Sequence, residues 1–127
     1  MRSDEDHIVL GGRAGTGKST ILAALKEDEN TVVCGMTGMA GVDLKIPTMH
    51  SALGLGMSPE ELSIDELVDR IEKSGRAGAF QKQKLVVDEA GQWPLKLFLQ
   101  LDKVGRRLRR TPNKPFGGLK LRLIGHT

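Results

Sequence analysis

Cysteine and aromatic residues are scarce in this sequence, which has one Cys, one Trp, three Phe and no Tyr. With Cys34 alone, no disulfide can form within the chain, and this count is compatible with a reducing compartment. No apolar run approaches the roughly 18 residues that a membrane-spanning helix requires. The first residues, MRSDEDH, have no apolar stretch and carry three acids, which argues against a secretory signal or a transit peptide. The sequence therefore predicts a soluble intracellular protein without membrane association, and it does not distinguish nucleus, mitochondrion and cytoplasm.

The composition is that of one globular domain. The chain has 127 residues, 28% of them charged and 39% hydrophobic, which fits neither two domains nor a disordered segment. The net charge is only +3, but between residues 96 and 120 basic residues outnumber acidic ones by eight to one. Such a block indicates either the solvated face of a helix or a surface that attracts a polyanion. The sequence alone leaves both interpretations open.

The stretch GGRAGTGKST at residues 11–20 contains a phosphate-binding loop motif. Gly12, Gly17, Lys18 and Ser19 stand at the spacing G-x-x-x-x-G-K-[ST], in which glycine lets backbone N–H groups approach phosphate oxygens. In this motif the lysine contacts the β- and γ-phosphates, and the serine hydroxyl binds Mg²⁺. The sequence therefore predicts that the chain binds a nucleoside triphosphate together with Mg²⁺.

Apolar runs and helical periodicities alternate along the chain. Four runs predict strands: Ile8–Leu10, Thr31–Cys34, Lys84–Asp88 and Leu119–Ile124. Helices are predicted at 19–26 and at Pro94–Arg110. Between Ser58 and about Gly75, capping patterns at Ser58 and Ser63 predict either one helix or two in series. The glycine-rich segment 35–56 predicts a loop with short helical turns. This alternation predicts an α/β fold with a parallel sheet flanked by helices, the architecture of P-loop NTPases.

The stretch LVVDEA at residues 85–90 places two carboxylates directly after an apolar strand. Asp88 would reach the Mg²⁺ at the carboxyl edge of a parallel sheet, and Glu89 would orient or deprotonate the attacking water. The alternative is an ordinary solvated strand end, which the phosphate-binding loop upstream disfavours. His50 has no second ligand at metal-binding spacing, so we expect no metal there, and Trp93 beside Pro94 predicts packing.

Several motifs together resemble one family, the PIF-type (petite integration frequency) DNA helicases, which are relatives of RecD in helicase superfamily 1. GGRAGTGKST resembles the family's motif I, and LVVDEA resembles its motif II. TGMAG at 37–41 and PTMHSALGLG at 47–56 are similar to motif Ia and its extension. KPFGGLKLRLIG at 114–125 resembles the segment that leads into motif III. The similarity runs from about His7 to Gly125 and implies a RecA-like domain.

The resemblance also implies an activity and a set of site residues. Members of the family couple ATP hydrolysis to 5′-to-3′ movement on single-stranded DNA, in DNA repair, recombination and telomere maintenance. ATP would then be bound by the loop and the start of its helix, namely by Gly12, Gly15, Thr16, Gly17, Lys18, Ser19 and Thr20. Asp88 and Glu89 would act on Mg²⁺ and water. Single-stranded DNA would pass over Thr37, Gly38, Thr48 and His50, where backbone amides and small polar side chains suit phosphate contacts.

The end of the sequence departs from the family pattern. The family follows its last strand with Gly-Asp and then Gln-Leu-Pro-Pro, whereas Gly125 is followed here by His126 and Thr127. The glutamine that senses the γ-phosphate is therefore missing from residues 1–127. We expect a partial P-loop ATPase domain, an incomplete first RecA-like domain that binds ATP without unwinding DNA by itself. A nucleotide-binding module without turnover is the alternative, and the oligomeric state stays open.

Overall fold

A computed structural model describes residues 7–10, 18–37, 39–40 and 44–125, with side chains described over 20–37 and 45–125. It contains six strands: β1 (His7–Leu10), β2 (Thr31–Gly35), β3 (Met39–Ala40), β4 (Leu44–Lys45), β5 (Lys84–Asp88) and β6 (Lys120–Ile124). It contains four α-helices: α1 (Lys18–Lys26), α2 (Met49–Leu53), α3 (Ile64–Ser74) and α4 (Leu95–Leu108). Short 3₁₀ turns lie at Pro59–Glu61, Ala77–Gln81, Ala90–Gln92 and Pro115–Gly118. None of the described helices is long and apolar enough to cross a membrane.

The four longer strands form one parallel sheet in the order β1-β6-β5-β2. These are the four strands that the apolar runs predict, and the α/β architecture is confirmed. Helix α1 covers one face of the sheet, here called the α1 face, whose core consists of Leu22, Val33, Ile46, Val86 and Ile124. Helices α2, α3 and α4 cover the other face, here called the α4 face, with a larger core that includes Leu85, Val87 and Leu121. Both faces are apolar because a parallel sheet is covered by crossover helices on both sides.

The segment 35–56 contains more regular structure than its glycine content predicts. Strands β3 and β4 pair as a short antiparallel ribbon, and α2 follows with Thr48 as its N-cap. The Thr48 hydroxyl oxygen accepts a hydrogen bond from the Ser51 N–H at 3.2 Å. Gly54 closes the helix with a φ of 70°, a left-handed conformation that suits glycine. Elements of two to five residues are too short to produce a readable period in the sequence.

Two capping patterns in the sequence have different outcomes. Ser63 forms the predicted capping box with Glu66: the Ser63 hydroxyl accepts from the Glu66 N–H, and the Glu66 carboxylate accepts from the Ser63 N–H. Ser58 makes no side-chain cap and has a φ of 49°, and the 3₁₀ turn Pro59–Glu61 follows it. The two starts therefore give a 3₁₀ turn and a separate α-helix in series, and only the second has the reciprocal hydrogen bonds of a cap.

The residues Phe116 and Gly117 clamp the end of α4 before β6 begins. Both have positive φ, 53° and 66°, which turns their backbone against Gly105 of α4. A Cβ at Gly105 would lie 2.8 Å from the Phe116 carbonyl oxygen, so only glycine permits this approach. The Phe116 N–H donates to Asp102 Oδ1 at 2.6 Å, and Arg109 Nε donates to the Gly117 carbonyl at 2.8 Å. The clamp fixes the point at which the chain enters β6.

The charged residues of β6 are arranged so that part of their charge reaches water. Lys120 is exposed at the start of the strand, and Arg122 is half-buried. The Arg122 guanidinium donates to the Leu121 carbonyl at 3.1 Å. Leu121 and Ile124 are buried, so the strand still contributes apolar side chains to the core. The cost of placing cations on a central strand is thus reduced by exposure and hydrogen bonding.

We expect Gly105→Ala to lower the free energy of unfolding by about 1–3 kcal/mol, because the added methyl group collides with a rigid backbone carbonyl. Gly78→Ala is the matched control, since nothing lies within 4 Å of a Cβ there. That substitution should be neutral or stabilise the protein by up to about 1 kcal/mol. Urea denaturation followed by circular dichroism measures both. Equal midpoints for the two variants would contradict the clamp.

Candidate functional site

The candidate site lies where the parallel strands end, and one row of paired residues runs across that edge. Leu10 of β1 pairs with Ile124 of β6, Ile124 pairs with Asp88 of β5, and Asp88 pairs with Gly35 of β2. Thr48 continues the row through a parallel bridge to Gly35. At about 4.8 Å per strand, the end of β1 and Asp88 are roughly 10 Å apart. The end of β1, which precedes the glycine-rich loop, and the end of β5, which carries Asp88, therefore lie at the same edge of the sheet.

Asp88 and Glu89 occupy different environments although they are adjacent. Asp88 is 1% exposed, and its carbonyl accepts a hydrogen bond from the Met36 N–H at 3.2 Å. Glu89 is half-buried and left-handed, with a φ of 57°, an uncommon conformation for a residue with a side chain. Its carbonyl accepts from the Gln92 N–H at 2.9 Å, which begins the turn Ala90–Gln92. The chain thus turns sharply directly after β5.

The start of α1 carries the carboxyl half of the phosphate-binding motif. The helix begins at Lys18, so the motif's Lys18 and Ser19 occupy its first turn, and Thr20 follows as an exposed residue. Gly12, Gly15, Thr16 and Gly17 lie outside the described residues. A helix that begins directly after a strand and a glycine-rich loop directs its first N–H groups and its positive dipole end toward that loop.

The four residues predicted to lie along DNA occupy the segment after β2. Thr37 is exposed, two residues beyond the end of β2, and Thr48 and His50 are half-buried at the start of α2. Gly38 lies outside the described residues. The bridge from Thr48 to Gly35 places the start of α2 at the same edge of the sheet as Asp88. Within the described part of the chain, no group of three His, Cys, Asp or Glu residues could hold a metal ion.

Arg70 fixes the loop that follows α2, a role that cannot be predicted from the sequence. Its guanidinium donates from Nη1 to the carbonyls of Leu55 at 3.0 Å and Met57 at 2.7 Å. Gly54 and Gly56 flank Leu55, and both have positive φ. Helix α3 therefore fixes, through Arg70, the end of the segment 47–56, which is similar to the extension of motif Ia. An arginine on an amphipathic helix gives no sign in the sequence that it binds backbone carbonyls.

Several basic side chains between residues 96 and 120 form ion pairs or hydrogen bonds within the protein. Arg106 pairs with Asp102 at 3.1 Å, and Arg107 forms an ion pair with Asp65. Arg109 donates to the backbone carbonyls of Phe80 and Lys82 at 2.9 Å, in addition to that of Gly117. These contacts favour the interpretation of a helix face with structural roles over a free cationic surface.

Trp93 packs as the sequence predicts. The ring is 8% exposed and lies edge-on to Phe98, with ring centroids 4.8 Å apart, and to Phe116 at 6.2 Å. Such edge-to-face pairs stabilise beyond their buried area. Trp93, Phe98 and Phe116 therefore connect the turn after Asp88 to α4 and to the clamp. This aromatic group lies between the acidic strand end and the core.

A model of the PIF1-like helicase family matches residues 1–127, the whole chain. The chain belongs to the PIF1-like helicase family. Among curated PIF1-like proteins, the ATP-dependent DNA helicase PIF6 of Trypanosoma brucei brucei is 33% identical over 126 residues, which cover 94% of this chain and 16% of that protein. The human ATP-dependent DNA helicase PIF1 is 34% identical over 122 residues, which cover 93% of this chain and 19% of that protein. The chain spans less than a fifth of the length of these relatives.

Solved Pif1 structures share the fold. The crystal structure of Pif1 helicase from Candida albicans superposes with a TM-score of 0.76 at 27% identity, over 94% of this chain and 28% of that chain. The Bacteroides Pif1 structure bound to single-stranded DNA gives a TM-score of 0.69 at 23% identity, over 97% of this chain and 29% of that chain. The described sheet and helices are thus those of a PIF1-like RecA-like domain, of which the chain represents an incomplete part.

We expect Thr48→Ala to lower the free energy of unfolding by about 1 kcal/mol, because α2 loses the hydroxyl that accepts from the Ser51 N–H. Thr48→Ser keeps this hydroxyl and should unfold close to the wild-type midpoint. Urea denaturation of the three proteins gives the comparison. A Thr48→Ser variant as unstable as Thr48→Ala would show that the methyl group, and not the cap, matters at this position.

Proposed function

We propose that this chain is the nucleotide-binding part of a PIF1-type ATP-dependent DNA helicase, and that by itself it binds ATP with Mg²⁺ but does not unwind DNA. The observation that carries the proposal is the row from Leu10 through Ile124 to Asp88. In this row a buried carboxylate on β5 is separated by a single strand, β6, from the strand that enters the glycine-rich loop. In open parallel sheets, ligands bind at this carboxyl edge, near helix N-termini.

The residue roles follow from the chemistry of a triphosphate. Lys18 would neutralise the β- and γ-phosphates, while Gly12, Gly15, Thr16, Gly17 and Thr20 would surround them with backbone and hydroxyl donors. The Ser19 hydroxyl and the Asp88 carboxylate supply oxygen, which Mg²⁺ prefers. Mg²⁺ would reduce the negative charge on the phosphates. Glu89, at the start of the turn that follows Asp88, would hold the attacking water or accept a proton from it.

Single-stranded DNA is the proposed macromolecular partner, through Thr37, Gly38, Thr48 and His50. The support is positional, since the Thr48–Gly35 bridge puts the start of α2 beside the acidic strand end. The Bacteroides Pif1 structure bound to single-stranded DNA belongs to the same fold. Coupling between nucleotide and DNA would therefore act through β2 and β5, which share backbone hydrogen bonds. Roles in DNA repair, recombination and telomere maintenance extend this proposal to the whole protein.

Lys18→Ala should weaken binding of Mg-ATP about tenfold to a hundredfold, the loss expected for one charge-assisted contact to phosphate. Lys26→Ala is the control, because Lys26 lies at the other end of α1 and donates to the Lys45 carbonyl. Isothermal titration calorimetry measures both affinities. Equal affinity of Lys18→Ala and the wild-type chain would refute nucleotide binding through the loop.

The isolated chain should not separate DNA strands, and its ATP turnover should be close to background. A helicase resembling this one closes ATP between two RecA-like domains, and an arginine supplied across such a cleft is worth about 10³–10⁵ in rate in related NTPases. Glu89→Gln should therefore change the residual turnover little. A forked-duplex fluorescence assay, with Candida albicans Pif1 as the positive control, measures strand separation. Unwinding that needs ATP and Lys18 would prove the chain a complete motor.

A further inference from the structure

A polar hollow of about 330 Å³ opens beside β2, an edge strand of the described sheet. Ser51, Arg76 and Lys82 are its polar lining residues, and glycine, alanine, valine and proline form the rest of the lining. None of the described residues that line the hollow carries a carboxylate. A concave surface with two cations, one hydroxyl and no acid favours an anionic ligand.

The hollow adjoins the residues that are proposed to lie along DNA. Pro47, which precedes Thr48, and Ser51, which follows His50, both line it. The Gly35 N–H donates to the Pro47 carbonyl at 3.0 Å, which fixes this wall against the end of β2. The hollow is therefore continuous with the surface around Thr48 and His50.

Arg76 differs from the arginines that bind carbonyls within the protein. It is exposed, and the described part of the chain provides no acceptor for its guanidinium. Its backbone is nonetheless fixed, because the Arg76 N–H donates to the Ser74 hydroxyl oxygen at 3.2 Å and to the Ile71 carbonyl at 3.4 Å. An arginine with a fixed backbone and an available planar fork is suited to bind a phosphate through two parallel N–H groups.

Lys82 offers less of its charge to a ligand. Its Nζ already donates to the Glu29 carbonyl at 2.6 Å. The Asn30 N–H and, to a smaller extent, the charge of Lys82 lower the pKa of the Asp28 carboxyl, so this carboxylate offsets part of the charge of the lysine. The guanidinium is therefore the stronger anion ligand of the two cations in the hollow.

Two kinds of macromolecule carry suitable anions, a nucleic acid backbone and an acidic protein segment. Single-stranded DNA is favoured, because the hollow continues the surface of Thr48 and His50. A strand has a phosphate on every nucleotide, so a contact at these two residues brings a neighbouring phosphate toward the hollow. Phosphate contacts of this kind position a strand and carry no sequence information.

We propose that Arg76, together with Ser51 and Lys82, forms a further phosphate subsite for single-stranded DNA at the outer edge of β2. The inference rests on the proposed function, because single-stranded DNA is the partner proposed there. The subsite binds the backbone of any sequence and does not need ATP. It adds a charged contact to a DNA surface whose other proposed residues are uncharged or titratable.

The test measures binding of a fluorescein-labelled oligothymidylate of about 15 nucleotides by fluorescence anisotropy, without ATP, between about 50 and 200 mM salt. Arg76→Ala removes the cation, and Arg76→Lys keeps the charge but not the planar fork. Lys103→Ala is the matched control, because Lys103 is an exposed cation that lies with Ile64 at the other end of α3. Circular dichroism confirms that the variants are folded.

Arg76→Ala should lower the affinity about threefold to tenfold and make the slope of log K against log salt shallower by about 0.7, the change expected for one lost phosphate contact on a single strand. Arg76→Lys should keep the wild-type slope, and Lys103→Ala should keep both affinity and slope. Equal affinity of Arg76→Ala and the wild-type chain, or equal losses in Arg76→Ala and Lys103→Ala, would overturn the subsite alone and leave DNA binding by the other residues intact.

Two further outcomes count against the proposal. Absence of oligonucleotide binding by the wild-type chain would overturn DNA as the partner, and the subsite with it, whereas the calorimetric test of ATP binding is independent of both. A glutamate-rich peptide that binds more tightly than the oligonucleotide, and loses this affinity in Arg76→Ala, would assign the hollow to an acidic protein segment instead.

Discussion

The position of β6 is the constraint on which the site depends, because this strand lies between β1 and β5 and pairs with both. A one-residue shift in the pairing of β6 with only one of these strands would move Leu10 and Asp88 out of the same row. A slip of β6 itself would exchange the faces to which Leu121 and Lys120 point. The clamp of Phe116 and Gly117 on Gly105 determines where β6 starts. A contact near the carboxyl end of α4 thus aligns two strand ends that lie at the opposite edge of the sheet.

Several arginines in the described part of the chain bind backbone carbonyls. Arg109 reaches three carbonyls in two segments, those of Phe80 and Lys82 and that of Gly117, and Arg70 reaches two in the loop after α2. A planar guanidinium with five donors can satisfy several carbonyls at once, which lysine cannot do in one plane. In 3₁₀ turns and loops, some carbonyls have no backbone N–H partner. Arginine side chains donate the hydrogen bonds that regular secondary structure would otherwise supply. The basic composition of the chain is therefore in part a requirement of its irregular segments.

Much of the fold could be predicted from the sequence, because its signals are local. Runs of Val, Ile and Leu mark each strand of the sheet, and the reciprocal pair Ser63 and Glu66 marks the start of α3. The short helical turns predicted in segment 35–56 are confirmed by α2. The ribbon β3–β4 could not be predicted, since its strands are too short to show a period in the sequence. Ser58 resembles a cap in sequence, but the chain adopts a left-handed conformation there and the hydroxyl makes no cap.

The residue types of the candidate site can be read from the sequence, whereas the pairing that aligns its strand ends cannot. Glycine, lysine, serine and two acids in their motifs predict nucleotide binding from residue types alone. The row that joins Leu10, Ile124 and Asp88 depends on the register between strands distant in sequence. Register is set by the packing of the crossover helices and by the clamp, which no short motif describes.

The single tryptophan has a practical consequence. Trp93 is buried against Phe98 and Phe116, and the turn Ala90–Gln92 links it to Glu89. Because the chain has no tyrosine and no second tryptophan, its near-ultraviolet emission arises almost wholly from this one indole. Any rearrangement of the acidic strand end that disturbs the aromatic group would change the colour and intensity of that emission. The protein thus carries its own optical reporter beside the candidate site, without a dye or an added label.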